Sequence, residues 1–158
     1  MLAFTYAQDG DGEQSEDTGD PVSDHDLNDP PPAHTKVLYM FTGATDNLIN
    51  VATVVHCSNF GDLDSQIYVE FFDVVAGSEN VFTATTTIPE NETRTFSSSP
   101  TALYVDHATA SLTDDLNQGA GRVIVPISNT NFICTAQLID STTLTPSFGI
   151  NLDIYKKW

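Results

Sequence analysis

The sequence predicts an all-β fold, an antiparallel β-sandwich of eight or nine strands with a long acidic N-terminal arm. Two observations predict it. From Lys36 onwards, apolar and polar residues alternate in short runs, and turn-forming residues separate the runs about every ten residues. No window has the apolar spacing of an amphipathic helix. Residues 1–35, by contrast, hold nine of the 22 acidic residues and no Lys or Arg, which predicts a separate arm.

The first five predicted strands are each indicated by β-branched or aromatic residues on one face. They lie at 37–41, 51–57, 67–73, 81–88 and 93–96. Val55 and Cys57 share a face in the second strand, Ile67 and Phe71 do so in the third, and Thr dominates the fourth. The residues between them are rich in Asn, Gly, Asp and Pro, which tolerate the backbone angles of turns.

Four more strands are predicted in the second half of the chain, at 102–112, 123–127, 132–138 and 148–154. In the seventh strand Val123, Val125 and Ile127 share a face, and in the eighth Phe132 and Cys134 do so. The glycines at 119 and 121 are interpreted as part of the loop before the seventh strand. The chain is therefore divided into a short strand-like segment at 1–8, an acidic, proline-ending arm at 9–35, and a sandwich domain at 36–158.

The net charge of −17 excludes two classes of function. Nucleic acids and anionic membrane surfaces both require Lys and Arg to neutralise their phosphates, and this chain has only five of these residues. No apolar run is long enough to insert into a membrane. The composition therefore predicts that nucleic acid is not a partner and that the chain does not insert into a membrane.

Residues 50–100 resemble the immunoglobulin-like sandwich modules of prokaryotic surface proteins. The resemblance is carried by Cys57-Ser-Asn59, Gly61, the strand containing Glu70-Phe-Phe-Asp73, and the turn Ile88-Pro-Glu-Asn-Glu-Thr93. It implies an immunoglobulin-like architecture and an extracellular or cell-surface location, and no activity, since a fold alone does not give function.

The two cysteines are predicted to point into the core and to form a disulfide. Cys57 shares its face with Val55, and Cys134 shares its face with Phe132 and Ala136. If the two sheets face each other at these positions, the bond would clamp the sandwich in an oxidising compartment. The alternative is two reduced thiols that pack as small apolar residues.

The segment at 1–8 is predicted to be a donor strand. Leu2, Phe4 and Tyr6 alternate with small residues, so three large side chains share one face. Added to a neighbouring copy of the chain, this strand would join the copies into a polymer. Docking on the same domain and the remnant of a targeting segment are the alternatives.

The acidic arm contains a candidate calcium site. Asp9, Asp11 and Glu13 alternate with glycines and could ligate Ca²⁺, but Gln14 stands where an EF-hand loop requires Gly. The alternative is a disordered, self-repelling arm. The four histidines lack the short spacings of a zinc or copper site; they are His25, His34, His56 and His107. The expectation is therefore no cofactor, with calcium as the alternative.

Enzyme activity is not expected. Gly-x-Ser-x-Gly is absent, and nothing places an acidic pair such as Glu70 with Asp73, or Asp106 with Asp114, across a cleft. Asn91 begins a glycosylation sequon in a predicted turn.

Together these features predict a non-enzymatic structural subunit of an extracellular filament or surface assembly. The alternative is a surface adhesion or carbohydrate-binding module with a glycan ligand. Its aromatic contacts would come from Tyr68, Phe72, Tyr104 or Trp158.

Overall fold

The fold is a β-sandwich, as predicted from the sequence. The computed structural model describes residues 32–75, 78–104, 107–110, 112 and 115–157, and its ten strands form two five-stranded sheets. The strands are β1 (Thr35–Asp46), β2 (Val51–Asn59), β3 (Ser65–Val75), β4 (Ser78–Ile88), β5 (Thr93–Ser97), β6 (His107–Thr109), β7 (Leu116–Pro126), β8 (Phe132–Asp140), β9 (Gly149–Leu152) and β10 (Ile154–Lys156).

The strand order within each sheet decides which strands are central and which lie at an edge. Sheet I has the order β10-β1-β7-β3-β4, and sheet II has the order β6-β5-β2-β8-β9. All neighbouring strands are antiparallel except β5 and β6, which are parallel. Within the described ranges, β4 and β10 are the edges of sheet I, and β6 and β9 are the edges of sheet II.

The core lies between the sheets and is built from the alternating faces of their strands. Phe41 and Phe71 of sheet I meet edge to face, with ring centroids 6.0 Å apart. Phe96 and Phe132 of sheet II are also almost fully buried. The hydroxyl of Tyr39 in β1 donates to the carbonyl of Phe132 in β8 at 2.7 Å, so hydrogen bonding as well as apolar packing joins the two sheets.

The Gly119–Gly121 stretch lies inside strand β7, which corrects its interpretation as a loop. Gly121 is paired with Phe41 on one side and Phe71 on the other. A Cβ atom on Gly121 would collide with the Phe41 ring, and one on Gly119 would lie 2.8 Å from the Phe72 carbonyl oxygen. Glycine is needed at these two positions because neighbouring strands approach closely. A glycine in a sequence can therefore indicate a close contact inside a sheet as well as a turn.

Two further predicted strands differ from the structure. Among the described residues of the segment at 102–112, only those of β6 form a strand, and Tyr104 lies on the outer face of sheet II against His56 and Gln137. The segment at 148–154 divides into β9 in sheet II and β10 in sheet I, and Asp153 is the single residue between them. Alternation alone does not reveal that a chain changes sheets.

The two ends of the sandwich are set by the direction of β1. Thr35, at its start, lies opposite Pro126, and Asp46, at its end, lies opposite Leu116. The N-terminal arm therefore joins the domain at the first end. We call this the acidic end, because its loops contain four exposed carboxylates, those of Asp62, Asp64, Glu90 and Glu92.

Candidate interaction surfaces

Strand β4 is a long and regular edge strand. It contains 11 residues, and each of them pairs with β3 without a shift in register. The other edge strands of the described residues, β6, β9 and β10, contain three, four and three residues. Residues 81–88 carry no charge and no proline. Proteins usually shorten, charge or bend such an edge, because it is a template for pairing with another strand.

The backbone groups that β4 leaves for a further strand can be identified. The hydroxyl of Thr85 donates to the carbonyl of Ile67 at 2.9 Å, so this carbonyl faces β4. Ile67 and Thr86 are therefore a hydrogen-bonded pair of the antiparallel ladder. Because such pairs alternate, the backbone N–H and C=O groups of Thr83, Thr85 and Thr87 point away from β3.

A second candidate surface lies at the end of the sandwich opposite the acidic end. It is formed by three loops at 47–50, 98–104 and 141–148, and we call it the three-loop surface. The loops are tied together by two backbone hydrogen bonds, Ser141 N–H to Asn50 carbonyl at 3.1 Å and Ala102 N–H to Ser141 carbonyl at 2.8 Å. None of the residues in these loops is Asp, Glu, Lys, Arg or His, in a chain with a net charge of −17.

The loop at 47–50 is held by two side chains at its start. Asn47 Oδ1 accepts hydrogen bonds from the backbone N–H groups of Ile49, Asn50 and Val51. Asp46 Oδ1 accepts one from Leu48 at 2.7 Å, and Leu48 adopts a left-handed backbone with φ of 55°. A leucine in this conformation is strained and persists only where its surroundings impose it. The side chains of Leu48 and Ile49 are 45% and 77% exposed.

The loop at 141–148 is organised by Asp140. Its Oδ1 accepts from the backbone N–H and the hydroxyl of Thr142, and its Oδ2 accepts from the backbone N–H and the hydroxyl of Ser147. These hydrogen bonds hold the pKa of Asp140 well below its usual value. Leu144, at the tip, is 73% exposed. Both loops thus present aliphatic side chains on a fixed backbone.

We expect Asp140→Asn to destabilise the protein at neutral pH, and the loss to shrink in acid. An amide has one acceptor oxygen, so it cannot serve both Thr142 and Ser147. Because folding lowers the pKa of Asp140, the stabilisation is complete above the unfolded value of about 3.9 and is lost as the pH falls towards the folded value. Urea unfolding of both proteins at pH 7 and pH 3 measures the difference.

Asp62→Asn is the matched control for Asp140→Asn, since it removes one negative charge from an exposed loop residue. It should leave the unfolding midpoint almost unchanged at both pH values. An equal loss for Asp140→Asn at pH 7 and pH 3 would show that the charge of Asp140 does not hold the loop.

The acidic end also exposes apolar side chains on a fixed loop. Phe60, Leu63 and Ile127 are each more than half exposed. The buried amides of Asn59 and Asn129 both donate to the carbonyl of Leu63, at 2.8 and 3.1 Å. The loop that carries Phe60 and Leu63 is therefore preorganised.

His56 is engaged in a polar network under the loop at 98–104. Its Nδ1 lies 3.0 Å from Thr95 Oγ1, and its Nε2 lies 3.0 Å from Gln137 Nε2. Gln137 also donates to the hydroxyl of Tyr104 at 3.2 Å, whose ring meets the imidazole edge to face. Burial lowers the pKa of His56, which favours the neutral ring that this network needs. Both ring nitrogens are occupied, so His56 fixes the covering loop.

Cys57 and Cys134 form a disulfide, which is the predicted pair in a different position. The two residues are directly opposite each other on neighbouring strands β2 and β8, with Cα atoms 4.2 Å apart. The bond therefore lies within sheet II on its core face, where the sequence analysis placed it between facing sheets. The two cysteines are 77 residues apart in the sequence, and this spacing does not indicate whether their strands are neighbours in one sheet or lie in different sheets.

Several predicted site residues lie outside the described residues. They are the donor-strand residues Leu2, Phe4 and Tyr6, and the candidate calcium ligands Asp9, Asp11 and Glu13. Within the part of the chain that is described, no group of three or more His, Cys, Asp or Glu is arranged to hold a metal ion. Asn91 is exposed in the turn between β4 and β5, with φ of 59°.

The structure also places the residues considered for sugar binding and for catalysis. Phe72 is buried on the outer face of sheet I, whereas Tyr104 lies on the outer face of sheet II against His56. Tyr68, which is half-buried, shares the outer face of sheet I with Phe72, and Tyr104 lies on the other sheet. Glu70 is paired with Arg122, while Asp73 points to the opposite face of β3, because side chains alternate along a strand. Asp106, Asp114 and Trp158 lie outside the described residues.

These observations define an acidic, disulfide-bonded β-sandwich in which β4 is a long edge strand among the described residues, and both ends expose apolar side chains on ordered loops. Comparison with descriptions of known protein families, with curated protein sequences and with solved structures finds no match to this chain. Among the described residues, no helix has the length and hydrophobicity needed to cross a bilayer.

Proposed function

We propose that this chain is a non-enzymatic structural subunit of an extracellular or cell-surface assembly, in which residues 1–8 of one copy add as a strand to β4 of a neighbour. The immunoglobulin-like character of the module belongs to the same proposal. The observation that carries it is the outer edge of β4, which pairs with no second strand in the part of the chain that the structure describes and has 11 residues in continuous register with β3. A disulfide supports an oxidising location, because such bonds persist outside the reducing cytosol.

The acceptor and the donor have matching properties. β4 offers outward backbone groups at Thr83, Thr85 and Thr87, with no charged side chain among residues 81–88. The donor segment has β-forming residues and no charge before Asp9. The arm at 9–35 has 27 residues (35 − 9 + 1), which in extended form span roughly 90 Å. The arm is long enough to reach a neighbouring sandwich.

The proposal is tested on the acceptor strand with Thr85→Pro. Proline removes the outward N–H of residue 85, which pairs with no described strand, and edge strands tolerate proline at such positions. Thr85→Val is the matched control, because it keeps the backbone N–H and the strand propensity. At low salt and low protein concentration, negative-stain electron microscopy and sedimentation velocity should show assemblies of the natural chain and of Thr85→Val, and single sandwiches of Thr85→Pro.

The donor is tested with a synthetic peptide of residues 1–8 and with a chain that lacks them. The truncated chain should not assemble through strand exchange, and it should bind the labelled peptide in a one-to-one ratio. A peptide with Phe4→Asp should bind at least tenfold more weakly. Binding of the peptide by truncated Thr85→Pro as tightly as by truncated Thr85→Val would exclude β4 as the acceptor. Assemblies of the truncated chain that match those of the full chain would exclude the donor.

A further inference from the structure

The three-loop surface is unusual for this molecule because it combines exposed aliphatic side chains with an absence of charge. The chain as a whole is strongly acidic, and two copies of it repel each other at low salt. The loops at 47–50, 98–104 and 141–148 contain no ionisable group other than the hydroxyl of Tyr104. Leu48, Ile49 and Leu144 are exposed there on loops whose backbones are fixed by Asn47 and Asp140.

We infer that the three-loop surface of one copy binds the acidic end of a second copy, in a head-to-tail contact. This contact would bury Leu48, Ile49 and Leu144 against Phe60, Leu63 and Ile127 of the next copy. The inference deepens the proposed function and rests on it for the assembly that the contact would build. A contact between two different patches repeats without closing unless the rotation makes a ring, so it generates a filament.

The carboxylates at the acidic end limit which surface can bind there. The acidic end exposes Asp62, Asp64, Glu90 and Glu92 around its apolar side chains. Like charges placed opposite one another in an interface oppose binding, so an acidic surface of a second copy is a poor partner for this end. The three loops carry no carboxylate that would repel these four, because Asp46 and Asp140 at their base are buried and hydrogen-bonded. Asp115, just before β7, is an exposed carboxylate at the same end but lies outside the three loops.

The position of the arm fits the same arrangement. The arm joins the domain at the acidic end, where the backbone N–H of Ile127 donates to the carbonyl of His34 at 2.9 Å. β4 begins at the opposite end, because Val75 pairs with Ser78 there. In a head-to-tail contact, the arm of one copy leaves at the junction with the next copy and enters beside the start of its β4. The end contact and strand addition are therefore compatible.

The contact is tested in the chain that lacks residues 1–8, so that strand exchange does not contribute. Sedimentation velocity over a range of concentrations should show reversible association that strengthens as salt screens the net charge. Leu144→Glu should weaken the association at least tenfold, since it sets a carboxylate against the acidic end. Met40→Glu is the matched control, because Met40 is a similarly exposed apolar residue on the outer face of sheet I, and it should have little effect.

Leu144→Lys separates a head-to-tail contact from a symmetric one. Opposite Asp62 and Asp64 of another copy, a lysine should preserve or strengthen the association and make it weaker at high salt. In a symmetric pairing of two three-loop surfaces, two lysines would repel, and association would fall as it does with Leu144→Glu. Equal losses for both variants, or no loss with Leu144→Glu, would overturn the inference. Neither result would bear on peptide binding to β4, which tests the proposed function separately.

Discussion

Replacement of both cysteines, Cys57→Ala with Cys134→Ala, is expected to lower the free energy of unfolding by about 4 kcal/mol. The reason is that the bond closes a loop with a sequence separation of 77 residues, and loss of the cross-link restores that much conformational entropy to the unfolded chain. The two positions are buried in sheet II, so the alanines add the loss of sulfur packing in the core. Urea unfolding of the oxidised and the double-variant proteins measures the change.

The natural chain, unfolded in reductant, should match the double variant, and the double variant should not respond to reductant. Because neither sulfur is accessible in the folded state, reduction of the native protein should be slow and should follow the rate of opening. A change of less than 1 kcal/mol in the double variant would mean that the unfolded chain keeps β2 and β8 together without the bond.

Arg122→Met is expected to destabilise the protein by about 3–5 kcal/mol, because it leaves a buried carboxylate without its counter-charge. Arg122 in β7 lies opposite Glu70 in β3, and the guanidinium Nε binds Glu70 Oε2. Glu70 is only 3% exposed. The guanidinium also lies 5.2 Å from the centre of the Phe72 ring, so the variant loses a cation–π contact as well.

The double variant Glu70→Leu with Arg122→Met shows whether the carboxylate is the cause. Replacing both charges by apolar groups removes the uncompensated carboxylate, and the stability should recover to within about 1–2 kcal/mol of the natural protein. Equilibrium unfolding in urea of the natural, single and double variants completes the cycle. Additive losses in the double variant would mean that Arg122 stabilises the sheet independently of Glu70.

The sequence was sufficient for the fold class because its main signal is local. Alternation along β2, β3 and β8 identifies the buried face of each strand, and it placed Cys57 and Cys134 in the core with their correct partner. It could not show that β2 and β8 are neighbours in one sheet. Strand order depends on contacts between residues far apart in sequence, and alternation carries no information about them.

The same limit explains the surfaces that the sequence did not indicate. Asp140 and Asn47 are ordinary turn residues in the sequence, and only the structure shows that each organises a loop through several hydrogen bonds. Turn chemistry of this type has a sequence signal, since Asp, Asn, Ser and Thr favour such bonds. The free edge of β4 follows from strand order and has no local signal.

The order of strands in sheet I also determines how the molecule would carry mechanical load. In the proposed assembly, tension enters through the arm at the start of β1 and leaves through a neighbour's arm bound to β4. The strands between them are β7 and β3, so the force crosses sheet I through its central hydrogen-bonded ladders. The short β10 and the disulfide in sheet II lie outside this path. Reduction of the disulfide would then lower the stability of each domain without breaking the hydrogen-bonded ladders of sheet I that carry the tension.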